Sequence, residues 1–94
     1  MRAKHSILSD EKRCYICGSH NNLQLHHVYF GTANRRLSDE HGCFCWLCFN
    51  HHLGDEGVHF NHLLDLSLKQ ECQEAFEREH TREEFMQIFG KNWL

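Results

Sequence analysis

Proline is absent from this chain, and no apolar run approaches the length of a membrane-spanning helix. Nothing at the N-terminus reads as a secretory leader, so a soluble, cytoplasmic protein is expected, with no membrane partner. An excess of positive charge is missing too. Thirteen acidic residues stand against ten basic ones, a formal charge of −3, which argues against a protein that coats polyanions along its whole surface. Any nucleic-acid binding must come from a local patch. Low-complexity tracts and internal repeats are lacking apart from two clusters of metal-ligand residue types, so residues 1–94 read as a single domain. A chain this short buries a limited fraction of its surface, and its core calls for reinforcement.

What is present in quantity is cysteine and histidine, six and ten residues respectively. An even cysteine count is compatible with disulfides, but the accompanying histidines and the expected reducing compartment favour zinc. Cys14-Tyr-Ile-Cys17-Gly18 reads as a zinc knuckle, a tight turn in which two thiolates meet one ion. A structural zinc takes four ligands, usually as two separated pairs, and the second pair is either Cys45 with Cys48 or Cys48 with His51. The set Cys14, Cys17, Cys48 and His51 is preferred because Cys45 fits the inward face of a strand, where free cysteine behaves as a small hydrophobe. Cys43 and Cys72 are read as core residues in the same way. With His51 committed to zinc, His52 points elsewhere, toward whatever His26 and His27 line.

The elements suggest an α+β chain. Leu23–Val28 alternates as a short strand, Gly31–Gly42 reads as a polar loop, and Cys43–Cys48 reads as a second strand with Phe44 and Trp46 on one face and Cys43, Cys45 and Leu47 on the other. Gly54–Gly57 marks a turn. Leu64, Leu68, Cys72, Ala75 and Phe76 recur at helical spacing and predict a helix over about 62–79. Thr81-x-x-Glu84 is a capping box opening a second helix with Phe85, Ile88 and Phe89 inward, stopped at Gly90, and Met86 and Trp93 are expected to fill the core. The chain thus divides into a basic N-terminal segment 1–13, a zinc-stapled core 14–61 and a helical extension 62–94. Arg2, Lys4, Lys12, Arg13, Arg35 and Arg36 against only Asp10 and Glu11 make residues 1–36 basic, whereas 65–84 is rich in glutamate and reads as a solvated face.

Phosphodiester hydrolysis needs a base to activate water, a cation to stabilise charge, and basic groups to position the backbone. The order Cys14-x2-Cys17, then Leu25-His26-His27-Val28, then Leu47-Cys48-Phe49-Asn50-His51-His52 and Gly57-Val58-His59-Phe60-Asn61 resembles the His-Asn-His (HNH, ββα-metal) endonucleases. The zinc-containing branch is the nearest in pattern, including small bacteriophage-encoded members and recombination-associated nucleases. The resemblance covers about residues 14–62 and extends loosely over the C-terminal helices. It implies a ββα-metal finger stapled by structural zinc and followed by helices, acting as a metal-dependent DNA endonuclease in phage DNA processing or recombination. The compartment would then be the cytoplasm of a bacterial host.

Position by position, the resemblance implies that His27 is the general base, that His26 is a catalytic-metal ligand where many relatives have Asp, and that His52 is its partner ligand. Cleavage would leave 5′-phosphate and 3′-hydroxyl ends. The family's middle Asn, which orients the base, has no counterpart in Gly42–Leu47; Asn34 is the candidate substitute, ahead of Asn50. Imidazole ligands without an evident carboxylate suit manganese, nickel, cobalt or zinc at least as well as magnesium, unless Asp39 or Asp55 enters the shell. His59 is a possible third metal ligand or phosphate contact, or a structural hydrogen bond at the helix entrance, the reading placed slightly ahead. Arg35, Arg36, Lys12 and Arg13 are candidate phosphate contacts. His5, His20, His41, His62 and His80 read as surface or cap residues. The competing function is a non-catalytic zinc module that binds DNA or a protein partner. A recombinase or packaging protein is a possible associate, and the oligomeric state is left open.

Overall fold

The computed structural model describes residues 3–94, so Arg2 of the basic segment lies outside the described residues. It is a small α+β structure with one two-stranded antiparallel sheet among the described residues. Strand β1 (Leu23–His27) leads into helix α1 (Asn34–His41), strand β2 (Phe44–Cys48) and a short helix α2 (Phe49–His52). Helices α3 (His62–Glu77) and α4 (Arg82–Phe89) follow. The strands pair from Leu23 opposite Cys48 to His27 opposite Phe44, which places His26 opposite Cys45.

The helix α1 replaces the polar loop expected between Gly31 and Gly42. Its sequence, NRRLSDEH, carries one apolar residue and so shows no apolar period. Leu37 packs against the core, and a polar lock is added to it: the Ser38 hydroxyl, fully buried, donates to the Tyr29 carbonyl at 2.7 Å and accepts from the Tyr29 N–H at 3.2 Å. Gly42 ends the helix at φ 73°, where a side chain would also meet the His5 carbonyl oxygen at 2.7 Å. Only glycine fits both demands.

The helices α3 and α4 follow the expected periods. Leu68, Cys72 and Phe76 of α3 are buried, as are Phe85 and Phe89 of α4, and Thr81 with Glu84 forms the capping box. Tyr29, at the exit of β1, packs among Phe85, Phe89 and Trp93 and donates its hydroxyl to the Lys69 carbonyl at 2.6 Å, tying the sheet to α3. Two details depart from expectation. Met86, expected in the core, is exposed on the outer face of α4. The acidic helix is not wholly solvated, because Asp65 is buried against Lys69 at 2.7 Å, with the Lys69 ammonium over the rings of Phe30 and Trp93. No helix among the described residues is long and apolar enough to cross a membrane.

Candidate functional site

Two clusters of ligand-type side chains converge on the sheet. Cys14 and Cys17 sit on the knuckle, Cys48 ends β2, and His51 lies one turn on in α2; their ligand atoms all fall within 4.8 Å of one another. Tetrahedral zinc with bonds of about 2.3 Å to sulfur and about 2.0 to 2.1 Å to nitrogen implies sulfur–sulfur edges of about 3.8 Å and sulfur–nitrogen edges of about 3.6 Å. The Cys17–Cys48 sulfurs are 3.8 Å apart, and the His51 Nδ1 lies 3.3 Å from Cys48 Sγ and 3.8 Å from Cys14 Sγ. A Cys3His cluster of these dimensions could hold a structural metal such as zinc.

Cys45, the alternative fourth ligand, is outside this cluster. It packs in the core with Leu47, Val58 and Leu68, and burial pushes its thiol pKa up, which disfavours the thiolate a metal needs. Burial opposes ionisation of Cys14 as well. There, hydrogen bonds from the backbone of Cys48, Cys17 and Ile16 outweigh it and bring the thiol down to about 6.

The second cluster is His26, His52 and His59, whose ligand atoms also fall within 4.8 Å of one another. Ring centroids are 5.2 Å apart for His26 and His52, 5.5 Å for His26 and His59, and 4.9 Å for His52 and His59. His26 is 2% exposed, and its Nε2 is buried without a hydrogen-bond partner. Leaving such an atom unpaired costs about 1–3 kcal/mol, which a bound cation would offset. Burial first, then the charges of His52, His59, His27 and Lys69, lowers His26 to about 3, so it stays neutral and keeps a lone pair for a ligand. His52 is lowered for the same first reason. The donor set fits a borderline divalent cation.

His59 arrives here because of the backbone. Gly57 passes so close to α2 that a Cβ would lie 2.6 Å from the His52 carbonyl oxygen. That approach lets the Val58 N–H reach the His51 carbonyl at 2.9 Å and the His59 N–H reach that of His52 at 3.4 Å. Phe30 closes one side, its ring centroid 5.3 Å from that of His59.

His27 stands at the end of β1, half-buried, with Nε2 2.7 Å from Asp39 Oδ1 on α1. Asn34, the candidate orienting residue, opens α1 and makes no hydrogen bond to His27. Asp39, considered as a shell ligand, lies outside the imidazole cluster, as does the exposed Asp55. A residue that sequence reasoning missed is Gln24, whose Oε1 lies 2.6 Å from His52 Nδ1; an amide oxygen accepts, so Nδ1 carries the hydrogen and Nε2 keeps the lone pair of the neutral ring. Strand alternation puts Gln24 on the face of His26, the one signal that could have found it. Of the basic candidates, Arg13 pairs with Glu11, Arg36 pairs with Glu40, and the Lys12 ammonium lies 5.0 Å from the centre of the Trp46 ring. Arg35 is exposed. No family model, curated protein or solved structure matches this chain.

Proposed function

We propose that the protein is a metal-dependent endonuclease that hydrolyses DNA phosphodiester bonds on a zinc-stapled ββα-metal finger. The observation that carries the reading is the convergence of His26, His52 and His59, with the buried His26 Nε2 unpartnered, beside the half-buried His27. His26, His52 and His59 would hold the catalytic metal, and Cys14, Cys17, Cys48 and His51 the structural zinc. Held by these imidazoles, a divalent cation would supply Lewis-acid stabilisation of negative charge developing on the substrate.

The chain's own residues do the rest. His27 takes a proton from the attacking water, whose oxygen forms a bond to phosphorus as the bond from phosphorus to the 3′ oxygen breaks. The electron pair of that bond stays on the leaving oxygen, which is protonated from solvent. Arg35 and Arg36, exposed on α1, position the DNA backbone, with Arg36 exchanging Glu40 for phosphate. Lys12 and Arg13 extend the contact on the knuckle side. Neutral imidazole donors favour manganese, nickel, cobalt or zinc over magnesium. By the same resemblance, the setting would be phage DNA processing or recombination.

A second reading, a catalytically silent zinc module that binds DNA or a protein partner, draws on the net charge of −3 and on exposed Phe60 and Leu63 just beyond His59. Cleavage of supercoiled plasmid and single-stranded circles separates the two. Zinc-loaded protein freed of excess metal is supplemented with magnesium, manganese, nickel or zinc, with His27→Ala in parallel. Metal-dependent nicking that disappears in the variant is the expected result. A folded, zinc-loaded protein that cuts nothing with any of these metals would sink the nuclease reading in favour of the binding module.

A further inference from the structure

We infer that Asp39 is the positioning residue of His27: its carboxylate fixes the imidazole with hydrogen on Nε2 and the lone pair on Nδ1, the atom that accepts the proton of water. The inference rests on the nuclease reading for its catalytic consequence and on geometry for the rest.

A carboxylate accepts hydrogen bonds and donates none. At 2.7 Å from Asp39 Oδ1, Nε2 of His27 must therefore carry the hydrogen, which leaves the lone pair of a neutral ring on Nδ1. Nδ1 has no hydrogen-bond partner among the described residues. When it takes a proton, the positive charge forms next to the carboxylate, which stabilises it without itself moving or becoming protonated.

The position of Asp39 is set by the docking of α1. The preceding residue, Ser38, is locked to both polar groups of the Tyr29 backbone, two residues beyond His27. The Ser38 carbonyl accepts from the Cys43 N–H at 2.8 Å, and the Asp39 carbonyl accepts from the Ala3 N–H at 2.6 Å. The carboxylate is thus delivered by a helix anchored on both sides, the arrangement that gives a site its precision. The side chains of His27 and Asp39 are 20% and 31% exposed, so the pair is shielded while water retains access. Asn34 cannot share the role, since five residues along a helix turn it about 140° away from Asp39. The absent middle Asn is thereby replaced by a carboxylate on the helix that links the strands.

The test uses the full chain, zinc-loaded, as wild type, Asp39→Asn, Asp39→Ala and Asp39→Glu. Long-range nitrogen–proton NMR reads the His27 tautomer, plasmid nicking with manganese gives kcat and KM, and zinc content with circular dichroism checks the fold. The expected results are hydrogen on Nε2 in the wild type and its loss from that nitrogen in Asp39→Ala. In both Asp39→Asn and Asp39→Ala, kcat falls by about 100-fold or more, KM and zinc content stay near wild type, and Asp39→Glu restores part of the rate. An unchanged tautomer in Asp39→Ala, or wild-type kcat in that variant, overturns the inference. Wild-type protein inactive with every metal overturns the nuclease reading instead, and the tautomer comparison still decides whether Asp39 fixes the ring.

Discussion

His51 and His52 are consecutive residues that serve different clusters. His51 presents Nδ1 to Cys14 and Cys48, while the ring of His52 lies against those of His26 and His59. Successive helical residues diverge by about 100°, so one turn of α2 reaches both. His51→Ala should therefore release zinc and unfold the chain, because structural zinc binding is coupled to folding. His52→Ala should retain the fold. Circular dichroism with zinc analysis separates the two, and a folded, zinc-free His51→Ala protein would contradict the assignment.

Cobalt replacement should distinguish the clusters by their donors. Sulfur-to-metal absorption marks the Cys3His cluster, and a weaker visible spectrum marks the imidazoles. Wild type is expected to take up ~2 equivalents and His26→Ala ~1, with the sulfur band intact. Loss of the sulfur band in His26→Ala would mean that His26 supports the first cluster.

Gly57→Ala should act on the imidazole cluster through the backbone. The added Cβ meets the His52 carbonyl oxygen at 2.6 Å, so the 57–59 segment must move away from α2. A loss of about 1–3 kcal/mol in urea denaturation is expected, together with the weaker cobalt spectrum. Retention of both metals at full affinity would show that His59 reaches the cluster without this approach.

In the helical extension, Phe85 and Met86 are neighbours with opposite fates. Phe85 is fully buried against Tyr29, Phe76 and Phe89, and Phe85→Ala should cost about 3–5 kcal/mol. Met86→Ala, on an exposed side chain, should stay within about 0.5 kcal/mol. Denaturant midpoints of the two variants check both values.

The parts of the fold legible in sequence were those written in local periodicity. Alternation marked both strands, helical spacing marked α3, and Thr81 with Glu84 marked the start of α4. Spacing paired Cys14 with Cys17 but left Cys45 and His51 as rivals beside Cys48, and only the inward strand position of Cys45 favoured the group that the fold brings together. Helix α1 was illegible because a single apolar residue, Leu37, and the buried hydroxyl of Ser38 dock it, and neither makes an apolar stripe. Asp39 could be named only as a loose shell candidate, since its contact with His27 depends on that docking. His59 was ambiguous because its approach to His52 is made by main-chain hydrogen bonds across Gly57, and residue types do not encode those.

The bond from the Val58 N–H to the His51 carbonyl ties the two clusters together through the main chain. The segment bearing His59 is thus fastened to the main chain of a residue of the Cys3His cluster, with Val58 packed into the core beside Leu47 and Leu68. Loss of the Cys3His geometry would therefore be felt at the imidazole cluster through the main chain, with no side chain shared between the two.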